Sequence, residues 1–183
     1  LLAPAGNYES FFSAVNAGAD AVYVGMKDFS ARSKARNFSY KELYNICLYA
    51  KEKKVKVYVA LNTLLQQKDL LRAFECLEQI KSAGADAVIA QDAGLACMVK
   101  KYFPQLKLHA STQLAVHNSS GVKQAVKMGF SRVVLARELS FDQINVIKNK
   151  TTAEIEVFCH GALCFSVSGL CLFSSFIGGY SGN

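Results

Sequence analysis

Two cysteines seven residues apart stand in a Gly- and Ser-rich stretch, Phe158-Cys-His-Gly-Ala-Leu-Cys164-Phe-Ser-Val-Ser-Gly-Leu-Cys171. Thiolates grouped in a loop suit zinc or an iron-sulfur cluster, each of which takes about four ligands. The stretch offers Cys164 and Cys171, with Cys159 as a third candidate that reads better as a buried strand residue. Cys164 and Cys171 also read as ordinary buried thiols. A different chemistry is open to the same residues, with Cys164 as a nucleophile and His160 or His109 as its base. The zinc helix H-E-x-x-H and the nucleophile elbow G-x-S-x-G are both absent, so the common hydrolase machineries are missing. His117 reads as a surface or capping residue.

Polar groups also stand directly after apolar runs, where core packing does not require them: Asn62, Gln91-Asp92, Ser111-Thr112-Gln113, Arg137-Glu138 and His160. Each alone suits loop capping or a rim salt bridge as well as it suits a substrate. As a set that converges on one rim, they point to a site.

The elements that must position these groups follow from a repeated unit. Asn16-Ala-Gly-Ala-Asp-Ala-Val-Tyr-Val-Gly25 recurs as Ser82-Ala-Gly-Ala-Asp-Ala-Val-Ile-Ala-Gln91, and more weakly as Lys127-Met-Gly-Phe-Ser-Arg-Val-Val-Leu-Ala136. In each, a helix ends at a Gly suited to a left-handed cap and a short β-branched apolar run follows. Runs apolar on both faces belong to a parallel sheet covered by helices. The pattern predicts strands over 1–3, 21–24, 55–61, 87–90, 106–110, 132–136 and 155–159. Helices are predicted over 8–17, 40–53, 69–83, 93–102, 119–128 and 141–149, with Ser39, Lys68-Asp69 and Ser140 as caps.

Seven strands alternating with six helices predict an α/β fold, a TIM-like (β/α) barrel left incomplete. A doubly wound sheet competes, but Ala5-Gly6-Asn7 after the first strand is not its G-x-G-x-x-G turn. In a barrel, active groups collect where the strands end. Arg32, Lys34 and Arg36, after the second strand, fall on that face and suit a phosphate, with Asn62 beside them as a substrate contact. Lys51 to Lys56 lead into the third strand and fall on the opposite face.

Composition bounds the rest. With 183 residues, 51% hydrophobic and 19% charged, the chain is one packed domain, 1–183, and not a disordered or linker-rich segment. No 18-residue uncharged apolar run is present, so no membrane span is expected. No secretory signal is visible, and singly placed cysteines suit a reducing, cytoplasmic setting. Of the +7 net charge, the segment from Lys27 to Lys56 supplies +6, the footprint expected for a polyanion partner as well as for a solvated helix face.

These residues resemble peptidase family U32, historically the collagenase-like peptidases. The resemblance lies in Leu1-Leu-Ala-Pro-Ala-Gly6, Gly18-Ala-Asp-Ala-Val-Tyr-Val-Gly25, Val57-Tyr-Val-Ala-Leu-Asn62, Leu108-His-Ala-Ser-Thr-Gln113, Val133-Val-Leu-Ala-Arg-Glu138 and Glu156-Val-Phe-Cys-His-Gly-Ala-Leu-Cys164. It continues through Ser168-Gly-Leu-Cys171 to Ile177-Gly-Gly-Tyr-Ser-Gly-Asn183, with Tyr180 where related sequences often carry Arg. The family continues with a segment like Arg-Gly-x-Cys-x-x-x-Cys, which would follow Asn183. The resemblance therefore implies that Cys164 and Cys171 are two of four thiolates on a 4Fe-4S cluster, the other two following residue 183, along with a possible C-terminal domain or partner subunit. It implies hydroxylation of a pyrimidine in tRNA or rRNA, or of a quinone precursor, with peptidase activity as the older alternative. An extruded or single-stranded pyrimidine would then meet Ser111, Gln113, Arg137 and Glu138, and His160 would orient the cluster loop or transfer a proton.

Overall fold

Strand and helix alternate because the central apolar runs are buried on both faces and need a helix to cover the outer side. The computed structural model describes residues 1–31, 36–161 and 167–168. The described elements run β1 (Leu2–Ala5), α1 (Tyr8–Asn16), β2 (Ala21–Gly25), α2 (Tyr40–Glu52), β3 (Lys56–Leu61), α3 (Leu70–Ala83) and β4 (Ala87–Ala90). They continue through α4 (Ala93–Tyr102), β5 (Lys107–Ala110), α5 (Ser119–Met128), β6 (Arg132–Val134), α6 (Phe141–Asn149) and β7 (Glu154–Glu156). Every strand pairs in parallel with its sequence neighbour, in the order β1 to β7. The result is a curled half-barrel, an incomplete TIM-like barrel whose edges are β1 and β7. No helix among the described residues is long and apolar enough to cross a membrane.

Local chemistry sets the boundaries. Ser39 and Ser140 close capping boxes with Glu42 and Gln143, as their spacing predicts, and Asn7 does the same with Ser10. Gly18, Gly84 and Gly129 take φ of 88°, 83° and 107° after α1, α3 and α5, which turns each helix directly into the next strand. Asp69 is not the side-chain cap of α3. It sits in a 3-10 turn, Gln67–Asp69, and its Oδ2 accepts from the Gln66 amide at 3.0 Å.

The last two strands are shorter than the sequence predicts. The β6–β7 ladder ends at Val134 and Glu156, and Ala136 instead donates its amide to the Val116 carbonyl at 3.1 Å. Among the described residues the ladder pairs nothing beyond Glu156, and Val157 and Phe158 are exposed. Cys159 is exposed as well, which corrects the expectation of a buried strand thiol.

The main core lies between sheet and helices, where Phe11, Val22, Leu43, Leu77, Leu95 and Phe130 are almost fully buried. Each such side chain contributes about 1.5–3 kcal/mol by leaving water. The concave face is different. Ala21, Tyr58, Ala87 and Ile89 form a small apolar group there. Below it, register aligns His109, Arg132 and Glu154 across β5, β6 and β7. Arg132 donates to Glu154 Oε2 at 2.7 Å, to Glu156 Oε2 at 3.2 Å and to Tyr58 Oη at 3.3 Å. This tie joins β3 to the edge strand β7 from inside. His109 packs edge-on against Tyr58, ring centres 4.7 Å apart, and is buried with Nδ1 unpartnered.

Burial first, and then the positive charge of Arg132, push the His109 imidazole down to about 4. It is neutral when folded and titrates near 6.5 when unfolded, so its stabilising effect is complete above pH 6.5 and is lost as pH falls toward 4. Chemical denaturation at pH 7.5 and pH 4.5 should show the parent losing about 2–3 kcal/mol more than His109→Gln across that interval. Equal losses would contradict the assignment.

Candidate active site

Parallel pairing puts the carboxyl ends of all seven strands on one rim, and the polar residues singled out above stand there. On the β2–β4 side the loop after β2 folds back over its own strand. The Phe38 amide donates to the Gly25 carbonyl at 2.9 Å, and Ser30 and Asn37 are buried above Gly25. A Cβ on Gly25 would lie 2.6 Å from both Asn37 Oδ1 and Ser30 Oγ, so the strand end must be glycine for the loop to close. Asn62 holds the same loop, its Oδ1 accepting from the Ala31 amide at 3.0 Å, while Gln91 Nε2 donates to the Asn62 carbonyl at 2.7 Å. Asp92 caps α4 through the Leu95 amide at 2.8 Å and also accepts from the Leu65 amide at 3.2 Å. Asn62, Gln91 and Asp92 are therefore tethers that shape the rim.

Arg36, exposed at the end of this loop, pairs with Glu42 in the first turn of α2 at 3.0 Å. Arg32 and Lys34 lie outside the described residues. Lys54 and Lys56 stand at the opposite, amino end of β3, as their position in the chain predicts.

On the β5–β6 side, Ser111 Oγ accepts from the Gln113 amide at 3.2 Å and opens a 3-10 turn, Thr112–Leu114. Thr112 Oγ1 donates to the Leu135 carbonyl at 3.4 Å. Gln113 Oε1 is buried with no partner among the described residues. The turn closes at Ala115 in the left-handed region, φ 53°, and this brings His117 over the end of β6. His117 Nδ1 donates to the Ala115 carbonyl at 2.7 Å, which leaves Nε2 3.4 Å from Glu138 Oε2. The other oxygen, Glu138 Oε1, accepts from the Ser168 amide at 2.7 Å, and Ser168 Oγ accepts from the Arg137 amide at 3.2 Å. Ser168 is fully buried by this docking. The Arg137 guanidinium lies 5.3 Å from the Phe158 ring centre.

Burial alone would raise the Glu138 carboxyl. Donors from Ser168 and its own amide, with His117 beside it, hold it below the ordinary carboxylate range. Glu138 is thus a fixed anionic hub. His117, expected to be a surface or capping residue, belongs to the site. Its distance from Glu138 in sequence hides the pairing, and the left-handed turn at Ala115 carries no glycine to announce it. His160 is exposed at the end of the described chain after β7. His109 is buried on the concave face, away from this rim and so not a base for it. Cys164 and Cys171 lie outside the described residues.

The sequence model of peptidase family U32 matches residues 6–183. The chain belongs to peptidase family U32. Its U32 relatives carry different names. It is 39% identical to an uncharacterized protease of Methanocaldococcus jannaschii over its whole length and 46% of that protein. It is also 39% identical to the 23S rRNA 5-hydroxycytidine C2501 synthase of Escherichia coli, over 100% of this chain and 27% of the relative. With tRNA hydroxylation protein P of Escherichia coli it shares 38% identity over 97% of this chain and 39% of the relative. This U32 chain therefore spans less than half the length of these relatives. The solved U32 peptidase Mk0906 superposes with a TM-score of 0.73 at 14% identity, over 85% of this chain and 66% of that one, which shows the shared fold.

Gly25→Ala should displace the loop that carries Arg36 and cost about 1–3 kcal/mol of stability. Thermal melting, with hydrogen exchange over residues 26–31 and 36–38, checks it. An unchanged loop would contradict the close approach at Gly25.

Proposed function

We propose that this chain is part of an iron-sulfur protein that takes part in hydroxylating a pyrimidine of tRNA or rRNA, with the barrel rim as its nucleotide site. The observation that carries the reading is the docking of Ser168, which lies between Cys164 and Cys171 in sequence, onto Arg137 and Glu138 at the end of β6. That contact sets Ser168 on the face where Ser111 and Gln113 stand, which supports the reading that its cysteine neighbours in sequence act there. The printed activities of the two hydroxylation relatives support RNA as the substrate class.

Thiol donors suit iron-sulfur chemistry, and among the described residues no group of three or more His, Cys, Asp or Glu competes for a metal. Cys164 and Cys171 would hold a 4Fe-4S cluster with two cysteines from outside these 183 residues, and when bound it supplies electron transfer. The chain's own residues do the rest. Arg36, with Arg32 and Lys34, contacts backbone phosphate, which gives affinity without sequence choice. A base must leave its stack to reach the rim. The Gln113 carboxamide oxygen, buried with no partner among the described residues, is the acceptor a uracil N3–H or a cytosine amino group would meet once the site opens, and the Ser111 hydroxyl fixes the Gln113 backbone. Asn62 keeps the phosphate loop seated, and the exposed His160 would move a proton.

The name of the Methanocaldococcus jannaschii relative favours a peptidase as the second reading, with Cys164 as nucleophile; His117 is not placed to be its base, because its two ring nitrogens face the Ala115 carbonyl and Glu138. Nucleoside analysis of RNA from cells that carry the full-length protein separates the two. Hydroxylated pyrimidine should vanish with Cys164→Ser and persist with Cys97→Ser. Unchanged RNA, with cleavage of a collagen-like peptide by iron-free protein, would select the peptidase.

A further inference from the structure

Residues 167–168, whose neighbours in the chain include both candidate thiol ligands, touch the barrel through a reciprocal pair of contacts. The Ser168 amide donates to Glu138 Oε1 at 2.7 Å, and the Arg137 amide donates to Ser168 Oγ at 3.2 Å. The other oxygen, Oε2, lies 3.4 Å from His117 Nε2, which donates to it when the ring is doubly protonated, since Nδ1–H is given to the Ala115 carbonyl. A carboxylate anchored in this way is held to the Ser168 amide rather than turned to a substrate. Its geometry is that of a fastening between the β5–α5 loop, the end of β6 and the cysteine-bearing segment.

We propose that Glu138 is a positioning residue that docks the cysteine-bearing segment on the rim, with His117 setting its carboxylate and Ser168 as the docked group. The inference rests on the thiol-ligand reading above and assigns Glu138 and His117 a task within it that differs from substrate contact. The amide contact needs only an acceptor oxygen at the Oε1 position. Gln at 138 supplies one; Ala does not. The charge-assisted bond, part-buried, would hold the segment closed at Ser168, so its loss should raise opening there by about tenfold.

The test uses full-length protein in three forms, parent, Glu138→Gln and Glu138→Ala, with two readouts. Amide exchange at Ser168 should be slow in the parent, at least about tenfold faster in Glu138→Ala and largely restored in Glu138→Gln. Alkylation of Cys47 and Cys76, both buried in the core, should stay slow in all three, which separates release of the segment from general unfolding. Iron removal by a chelator should accelerate in Glu138→Ala and return toward the parent rate in Glu138→Gln. A parent amide that exchanges freely would overturn the proposal, as would an Ala variant that exchanges like the parent or Cys47 and Cys76 opening together with Ser168. An iron-free parent with the expected exchange pattern would instead defeat the cluster reading and leave the docking role standing.

Discussion

Parallel pairing of each strand with its sequence neighbour is the constraint on which the site depends. A parallel neighbour can be reached only by a covering helix that returns the chain to the opposite end of the sheet. Each strand therefore delivers its following loop to the same rim, and the chain visits that rim after every strand. Residues as far apart as Ala31 and Asn62, or Glu138 and Ser168, meet there without any long-range design beyond register. The rim is then stitched loop to loop, from the β2 loop through Asn62 and Gln91, and from the β5 loop through His117 and Glu138 to Ser168.

The two ends of the barrel are built from different chemistry. Toward the amino ends of the strands, the concave face holds a dense tie of Arg132, Glu154, Glu156 and Tyr58, with a neutral His109 against it. Removing one partner from such a tie leaves a poorly compensated charge, so it favours a single arrangement of β3, β6 and β7. Burial raises the Glu156 carboxyl even though Arg132 opposes the shift. At the carboxyl ends, the groups are linked mainly by side chains accepting from backbone amides, which fix the loops.

Much of the fold was legible because repetition exposes it. Three copies of a Gly-ended helix followed by a β-branched run set the βα period, and the capping residues Ser39 and Ser140 mark helix starts by themselves. The shortened β6 and β7 were hidden because ladder length depends on a neighbour: Val157 and Phe158 look like strand residues, but among the described residues no ladder pair forms beyond Glu156. Convergence of Asn62, Gln91, Ser111, Arg137 and Glu138 on one rim follows from the barrel alone. Their individual roles do not. Asn62 and Glu138 read as substrate contacts in the sequence, and only distances show the first holding Ala31 and the second holding Ser168. The inward-facing Tyr58, His109, Arg132 and Glu154 do leave a trace, since they alternate with apolar residues in short strands, a polar stripe on the concave side.

The central claim is that the rim presents a thiol-ligated cluster to an RNA base, and iron content tests it most directly. Iron, acid-labile sulfide and the visible absorption spectrum should be measured on full-length protein prepared without oxygen, beside Cys164→Ser and Cys171→Ser. About four irons per chain in the parent, lost in both variants, is the predicted result. A well-folded parent with no iron or sulfide would contradict the account and turn attention to the peptidase reading.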